Sequence, residues 1–196
     1  MFKVNNEYFE IEKAYMDALL DYGKEEKLLF GIEIICKEVD NKTLPLITSD
    51  ILLKIEKNEI KEWQDIAGRI IEWEKYSKNI LKPHLKFINF YKNTFRSSFI
   101  YDARIEFKNI DNKVFVKIKG LCDSIFNGKE IKTLSLEIET QIKFTWIEIG
   151  VHESEEAARN RLNQYLDSNN YEYNISELEL SNKSKIKMGR FDLKIM

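Results

Sequence analysis

Apolar and polar residues alternate along much of the chain's second half. Leu134, Leu136, Ile138, Ile142, Phe144 and Trp146 hold even positions, while Ser135, Glu137, Glu139, Gln141, Lys143 and Thr145 hold the odd ones. A period of two predicts a strand with one buried and one solvated face. Thirteen residues exceed the usual strand length, so a bend or turn is expected near Thr140 and Gln141. "HLKFINFYK", "SFIYDARIEFK" and "KVFVKIKGLC" are rich in aromatic and β-branched residues and read as further strands. Turn chemistry separates them: "NIDNK" at 109–113, and Asn127-Gly128, the strongest hairpin signal in the chain.

The first half mixes periods. "MFKV" and "EYFEI" flank Asn5-Asn6 and predict a short hairpin. Ile11, Tyr15, Ala18, Leu19 and Tyr22 recur at helical spacing with Gly23 as a stop, which predicts a helix over 11–22. "KLLFGIEIICKEV" follows as a strand. Ser49 or Asp50 would cap a helix near 49–57, and 61–74 fits helix and strand alike. A last helix is expected from Ser154 to Asp167, with Ala158, Leu162, Tyr165 and Leu166 inward, before the short strands "YEYNI", "ELEL" and "IKMGRFDLKI". Together these predict a single α+β domain over residues 1–196, mainly an antiparallel sheet with two or three helices.

Composition narrows the class. With 43% hydrophobic and 33% charged residues in 196, the chain is globular and long enough for a sizeable core. The start "MFKVNNEYFEIEK" has no apolar stretch of signal-peptide length, and no apolar run approaches membrane-spanning length. Cys36 and Cys122, both in apolar settings, read as buried reduced thiols, and the expected address is cytoplasmic. Charge is uneven behind a net −2: residues 75–101 contain no acid and carry Lys75, Lys78, Lys82, Lys86, Lys92 and Arg96. Residues 134–180 hold ten acids against three basic residues. Such asymmetry points to a charged partner.

Candidate chemistry is sparse. Glu137, Glu139, Glu148, His152, Glu153, Glu155 and Glu156 crowd one segment, yet a metal site needs three or four convergent ligands, and His84 is the only other histidine. Glu137 and Glu139 fit the wet face of a strand. Ser154 fits an N-cap, and Glu155 and Glu156 fit a first helical turn, where the dipole favours negative charge. Seven scattered glycines make neither a Walker loop nor a dinucleotide fingerprint, so no nucleotide cofactor and no metal is expected. The enzyme alternative is a magnesium-dependent nuclease built on Asp102 and the Glu106-Phe107-Lys108 triplet. Phe87, Phe90, Tyr91 and Phe95 among the 75–96 cations supply a nucleic-acid or defence-complex binding alternative.

"WQDIAGRIIEWE", Trp63 to Glu74, and the opening "YFEIEKAYMDALLDYGKEEKLLFGIEIICKE" resemble the small cytoplasmic α+β immunity proteins that neutralise bacterial polymorphic or contact-dependent toxins. That resemblance covers the first third of the chain and carries over no functional residue. It implies a stoichiometric inhibitor, not an enzyme, that occludes a partner toxin's active site. The acidic set Glu137, Glu139, Glu148, Glu153, Glu155 and Glu156 would then be the natural contact for a basic partner.

Overall fold

A computed structural model describes residues 1–20, 26–37, 45–74, 86–91, 94–126, 130–149, 153–179 and 185–194. Gly23, the Asn127-Gly128 turn, His84 and His152 lie outside the described residues. In chain order the strands are β1 (Phe2–Val4), β2 (Glu7–Phe9), β3 (Ile11–Leu20), β4 (Leu28–Cys36), β5 (Pro45–Ile55), β6 (Ile70–Trp73) and β7 (Lys86–Tyr91). They continue with β8 (Thr94–Ile110), β9 (Lys113–Phe126), β10 (Glu130–Gln141) and β11 (Lys143–Ile149). After the helix α1 (Glu155–Leu162) come β12 (Tyr171–Glu179) and β13 (Lys185–Leu193). Among the described residues no helix is long and apolar enough to cross a membrane.

The α+β expectation is therefore corrected: the chain is mostly β, with one α-helix among the described residues. Residues 11–20 form strand β3 instead of a helix. Met16, Ala18 and Leu20 are buried while Lys13 is exposed, an alternation that coexists with the helical spacing. In the strand order β3 lies between β11 and β4, so both its edges are hydrogen-bonded, whereas a lone twelve-residue helix is marginal. The helix expected near 49–57 is likewise strand β5, with Ile47, Ser49, Leu53 and Ile55 buried and Lys54 exposed. Ser49 sits inside a strand and caps nothing.

The ambiguous 61–74 segment is both things in turn. Asp65 Oδ2 accepts from the backbone N–H groups of Lys61 and Glu62 at 2.9 and 3.0 Å, closing a 3-10 turn over Trp63–Ile66. Gly68 then takes φ +91° and turns the chain into β6. Helix α1 is shorter than expected, but Ala158, Leu162, Tyr165 and Leu166 are all buried as its pattern required. Ser154 is its N-cap, with Oγ accepting from Ala157 N at 3.3 Å. The long alternating stretch breaks at Ile142 into β10 and β11.

The chain divides into two compact units: residues 1–15, 32–52 and 66–143, and residues 16–31, 53–65 and 144–196. In the first unit, β6, β8, β9, β10, β1 and β2 pair antiparallel in that order, and β7 joins β5 to the start of β8. Asp111 and Asn112, at φ +51° and +60°, make the tight turn between β8 and β9 that "NIDNK" predicted. Asn5, at φ +53°, turns β1 into β2 as expected. The inner face buries Phe2, Ile105, Phe107, Val116, Ile118 and Ile138. In the second unit Phe144 is the hub. Its ring stacks on Trp63 at 5.5 Å and meets Phe30 and Tyr171 at 5.7 and 6.2 Å.

One irregularity sets the geometry of the first unit. Tyr101 pairs with Leu121 but Arg104 pairs with Lys119, so β8 carries one extra residue there. Asp102 takes φ +44°, a left-handed conformation uncommon outside glycine. The bulge turns Ala103 inward over Gly120 of β9, and Trp73 Nε1 donates to Ile100 O at 2.9 Å beside it. A Cβ on Gly120 would lie 2.7 Å from Ile100 Cγ2 and 2.9 Å from Ala103 Cβ. Gly120→Ala is accordingly expected to destabilise the fold by about 1–3 kcal/mol through overpacking, read as a lower urea midpoint; an unchanged midpoint would refute this close approach.

Candidate functional site

The outer face of the first unit is built by strand alternation. Every second residue of β1, β10, β9 and β8 points to solvent, and the antiparallel register brings those residues into rows across the strands. One row runs Tyr8, Lys3, Glu137, Lys119, Arg104, Glu72, and the next runs Glu139, Lys117, Glu106, Ile70. Charges of opposite sign meet along both. Lys119 Nζ lies 2.8 Å from Glu137 and Lys117 Nζ 3.6 Å from Glu139. Arg104 holds Glu106 at 2.6 Å and also pairs with Glu72, while Lys108 reaches Glu106 at 3.5 Å. Tyr8 and Ile70 are exposed on the same face, and Lys3 sits 5.3 Å over the Tyr8 ring.

These pairs move the titrations of their members. The hydrogen bond from Arg104, then the nearby charges of Arg104 and Lys108, hold the Glu106 carboxyl below the usual range. Lys119 does the same for Glu137, and Glu137 in turn raises Lys119. Glu106 is thus the centre of an ion-pair cluster. Asp102 lies apart from it, lining a cleft of about 290 Å³ with Lys3, Asn5, Lys119, Ser135 and Glu137. The proposed nuclease residues are therefore divided: Glu106 and Lys108 share one cluster, and Asp102 opens onto another. Among the described residues no three His, Cys, Asp or Glu side chains stand close enough to hold a metal ion.

The second unit carries the rest of the acidic set. Glu148 faces Arg190 across the β11–β13 pair. Glu153 accepts from Arg161 Nη1 at 2.8 Å, and Arg161 Nε also reaches Glu26 at 3.2 Å. Arg159 donates to Glu155 at 2.8 Å and to the carbonyl of Ser168 at 2.7 Å, and its guanidinium lies 5.4 Å over Phe191. Glu155 and Glu156 are exposed in the first turn of α1. There they edge an open groove of about 520 Å³ with Arg159, Asn160, Asn163 and Asn169. Burial, then the charges of Glu153 and Glu155, raise the Tyr173 hydroxyl, which donates to Glu153 O at 2.7 Å. Glu137 and Glu139 belong to the first unit and Glu148, Glu153, Glu155 and Glu156 to the second.

Of the basic alternative, Lys75, Lys78, Lys82 and Lys92 lie outside the described residues, and Lys86 and Arg96 occupy positions on β7 and β8. Cys36 and Cys122 are free and buried, and burial pushes each thiol up to about 12, so neither is a ready nucleophile. Residue-by-residue reading missed Arg104, Lys117 and Lys119. A signal existed: Lys119 stands as far before Gly128 as Glu137 stands after it, and Lys117 matches Glu139 in the same way. Folding the sequence about its strongest hairpin turn pairs them.

No protein-family model, curated protein or solved structure matches the chain.

Two outcomes check this electrostatic picture. Because the folded state lowers the Glu106 carboxyl, its ion pairs add stability that is complete above the ordinary carboxyl range and lost as pH falls through the lowered value. The thermal midpoint of the wild type is expected to exceed that of Arg104→Met above about pH 5, and the gap to narrow progressively as pH falls below the ordinary carboxyl range; a pH-independent gap would refute the assignment. Arg159→Met, which removes the donors to Ser168 O and Glu155, is expected to cost about 1–3 kcal/mol in urea unfolding.

Proposed function

We propose that the chain is a stoichiometric inhibitor that binds a basic partner protein and covers its active site. The observation that carries this reading is the acidic character of the second unit around α1. Carboxylates outnumber cations among that unit's described residues. Glu155 and Glu156 stand exposed at the edge of the open groove, on a helix start held by the Ser154 cap and the Arg159 clamp. Carboxylates held in a fixed arrangement cost little ordering entropy on binding and steer an oppositely charged partner. Glu153, Glu155 and Glu156 are the residues on which the proposal rests.

The magnesium-nuclease reading has less support, because Glu106 is engaged by Arg104 and Lys108 while Asp102 lines a separate cleft. The inhibitor reading is tested against the product of the adjacent gene. A complex is expected on co-expression, and association measured by stopped flow should slow on the order of ten-fold in Glu155→Lys/Glu156→Lys and in raised salt. Absence of a complex together with absence of protection against that gene product would overturn the proposal.

A further inference from the structure

The outer face of the first unit carries its charges in columns as well as rows. β9 contributes the cations Lys117 and Lys119, and the neighbouring β10 contributes the anions Glu137 and Glu139 at matching heights. We infer that this face is the contact surface of a homodimer, two copies meeting face to face about a two-fold axis that runs along the seam between β9 and β10. Such an axis exchanges the two columns. Glu137 and Glu139 of one copy then stand over Lys119 and Lys117 of the other, and the reverse pairs form at the same time. At the seam, a column of one sign beside a column of the other is self-complementary under this operation, the condition an isologous interface must meet; one strand further out the same axis sets Arg104 over Lys3, the first held by Glu106 and the second by the Tyr8 ring of its own copy.

Three further observations favour a second copy as the occupant. Exposed apolar side chains share the face with the charges: Tyr8 is 67%, Ile70 54% and Ile110 47% accessible. Partly buried Leu121 and Phe115 stand on β9 in the same alternation as Lys117 and Lys119. The face is also large enough. The long strands β8, β9 and β10, at ~4.8 Å spacing and about 27 Å along β10, together with the three- and four-residue strands β6, β1 and β2 cover on the order of 500 Å² per copy, about 1,000 Å² for both, at the lower edge of stable interfaces. Nucleic acid fits poorly, since each seam cation already faces a carboxylate and would release few counterions. Asp102 and the cleft it lines lie beside the seam, so docking would cover them.

The inference uses none of Glu153, Glu155 and Glu156, so it stands or falls separately from the inhibitor proposal. Sedimentation at tens of micromolar protein is expected to show a dimer. Lys117→Glu/Lys119→Glu alone and Glu137→Lys/Glu139→Lys alone place like charges in opposition, and each should raise the dissociation constant on the order of 100-fold or more. Mixed one to one, the two variants should form a heterodimer, because one copy then presents only anions at the seam and the other only cations. A second measurement needs no substitution: zero-length carbodiimide cross-linking of mixed ¹⁴N and ¹⁵N wild-type protein should yield mixed-isotope links between Lys119 and Glu137 or Lys117 and Glu139. A wild type that stays monomeric at high concentration and low salt would overturn the inference. So would cross-links confined to single-isotope peptides, as would folded variants that fail to pair on mixing.

Discussion

The two-residue period of the β8–β9–β10 meander is the constraint from which the first unit's other features follow. With each of these strands paired on both sides, a side chain's face is decided by its parity alone, and one inserted residue would reverse it. Such a residue sits between Tyr101 and Arg104. Before it the odd-numbered Tyr101 faces outward; after it Arg104, Glu106 and Lys108 do, while Ile105 and Phe107 pass inside. The left-handed Asp102, the inward Ala103 and the bare backbone of Gly120 are three aspects of that single insertion. Without the shift, Arg104 and Glu106 would turn to the inner face, and the charge rows would stop at β9.

Order in the second unit comes from different forces. Its single helix is short and mostly polar, and stacking among Trp63, Phe144, Phe30 and Tyr171 supplies the apolar centre. Arginines tie the edges: Arg159 donates to the carbonyls of Ser168 and Tyr171, at the 3-10 turn that leads into β12, and Arg161 joins Glu153 to Glu26. Tyr173 lies so close over Gly189 that a Cβ there would fall 2.8 Å from its hydroxyl. The same contacts that fix this region also hold Glu153 and Glu155 in place.

The two units treat charge in opposite ways. On the first, acids and bases are interleaved and nearly cancel, a pattern suited to a surface that recognises itself. On the second, acids dominate, a pattern suited to a basic partner. A net charge of −2 conceals both, and so does the linear count over residues 134–180, which merges Glu137 and Glu139 with glutamates of the other unit.

Features that depend on near neighbours could be read along the chain alone. Alternation from Leu134 to Trp146, the turns at Asn5 and Asp111-Asn112, the Ser154 cap and the inward stripe of α1 were all legible, because each is set by local sterics or by a period that one element displays alone. Tertiary structure decided the rest. Residues 11–20 and 49–55 carry helical and strand signals together, and pairing with strands distant in sequence selected the strand. The Lys117–Glu139 and Lys119–Glu137 pairs required the hairpin register. The bulge at Asp102 required Gly120 opposite it. In each case the deciding energy is a backbone hydrogen bond or a packing contact between residues far apart in the chain, and local propensity carries no term for either.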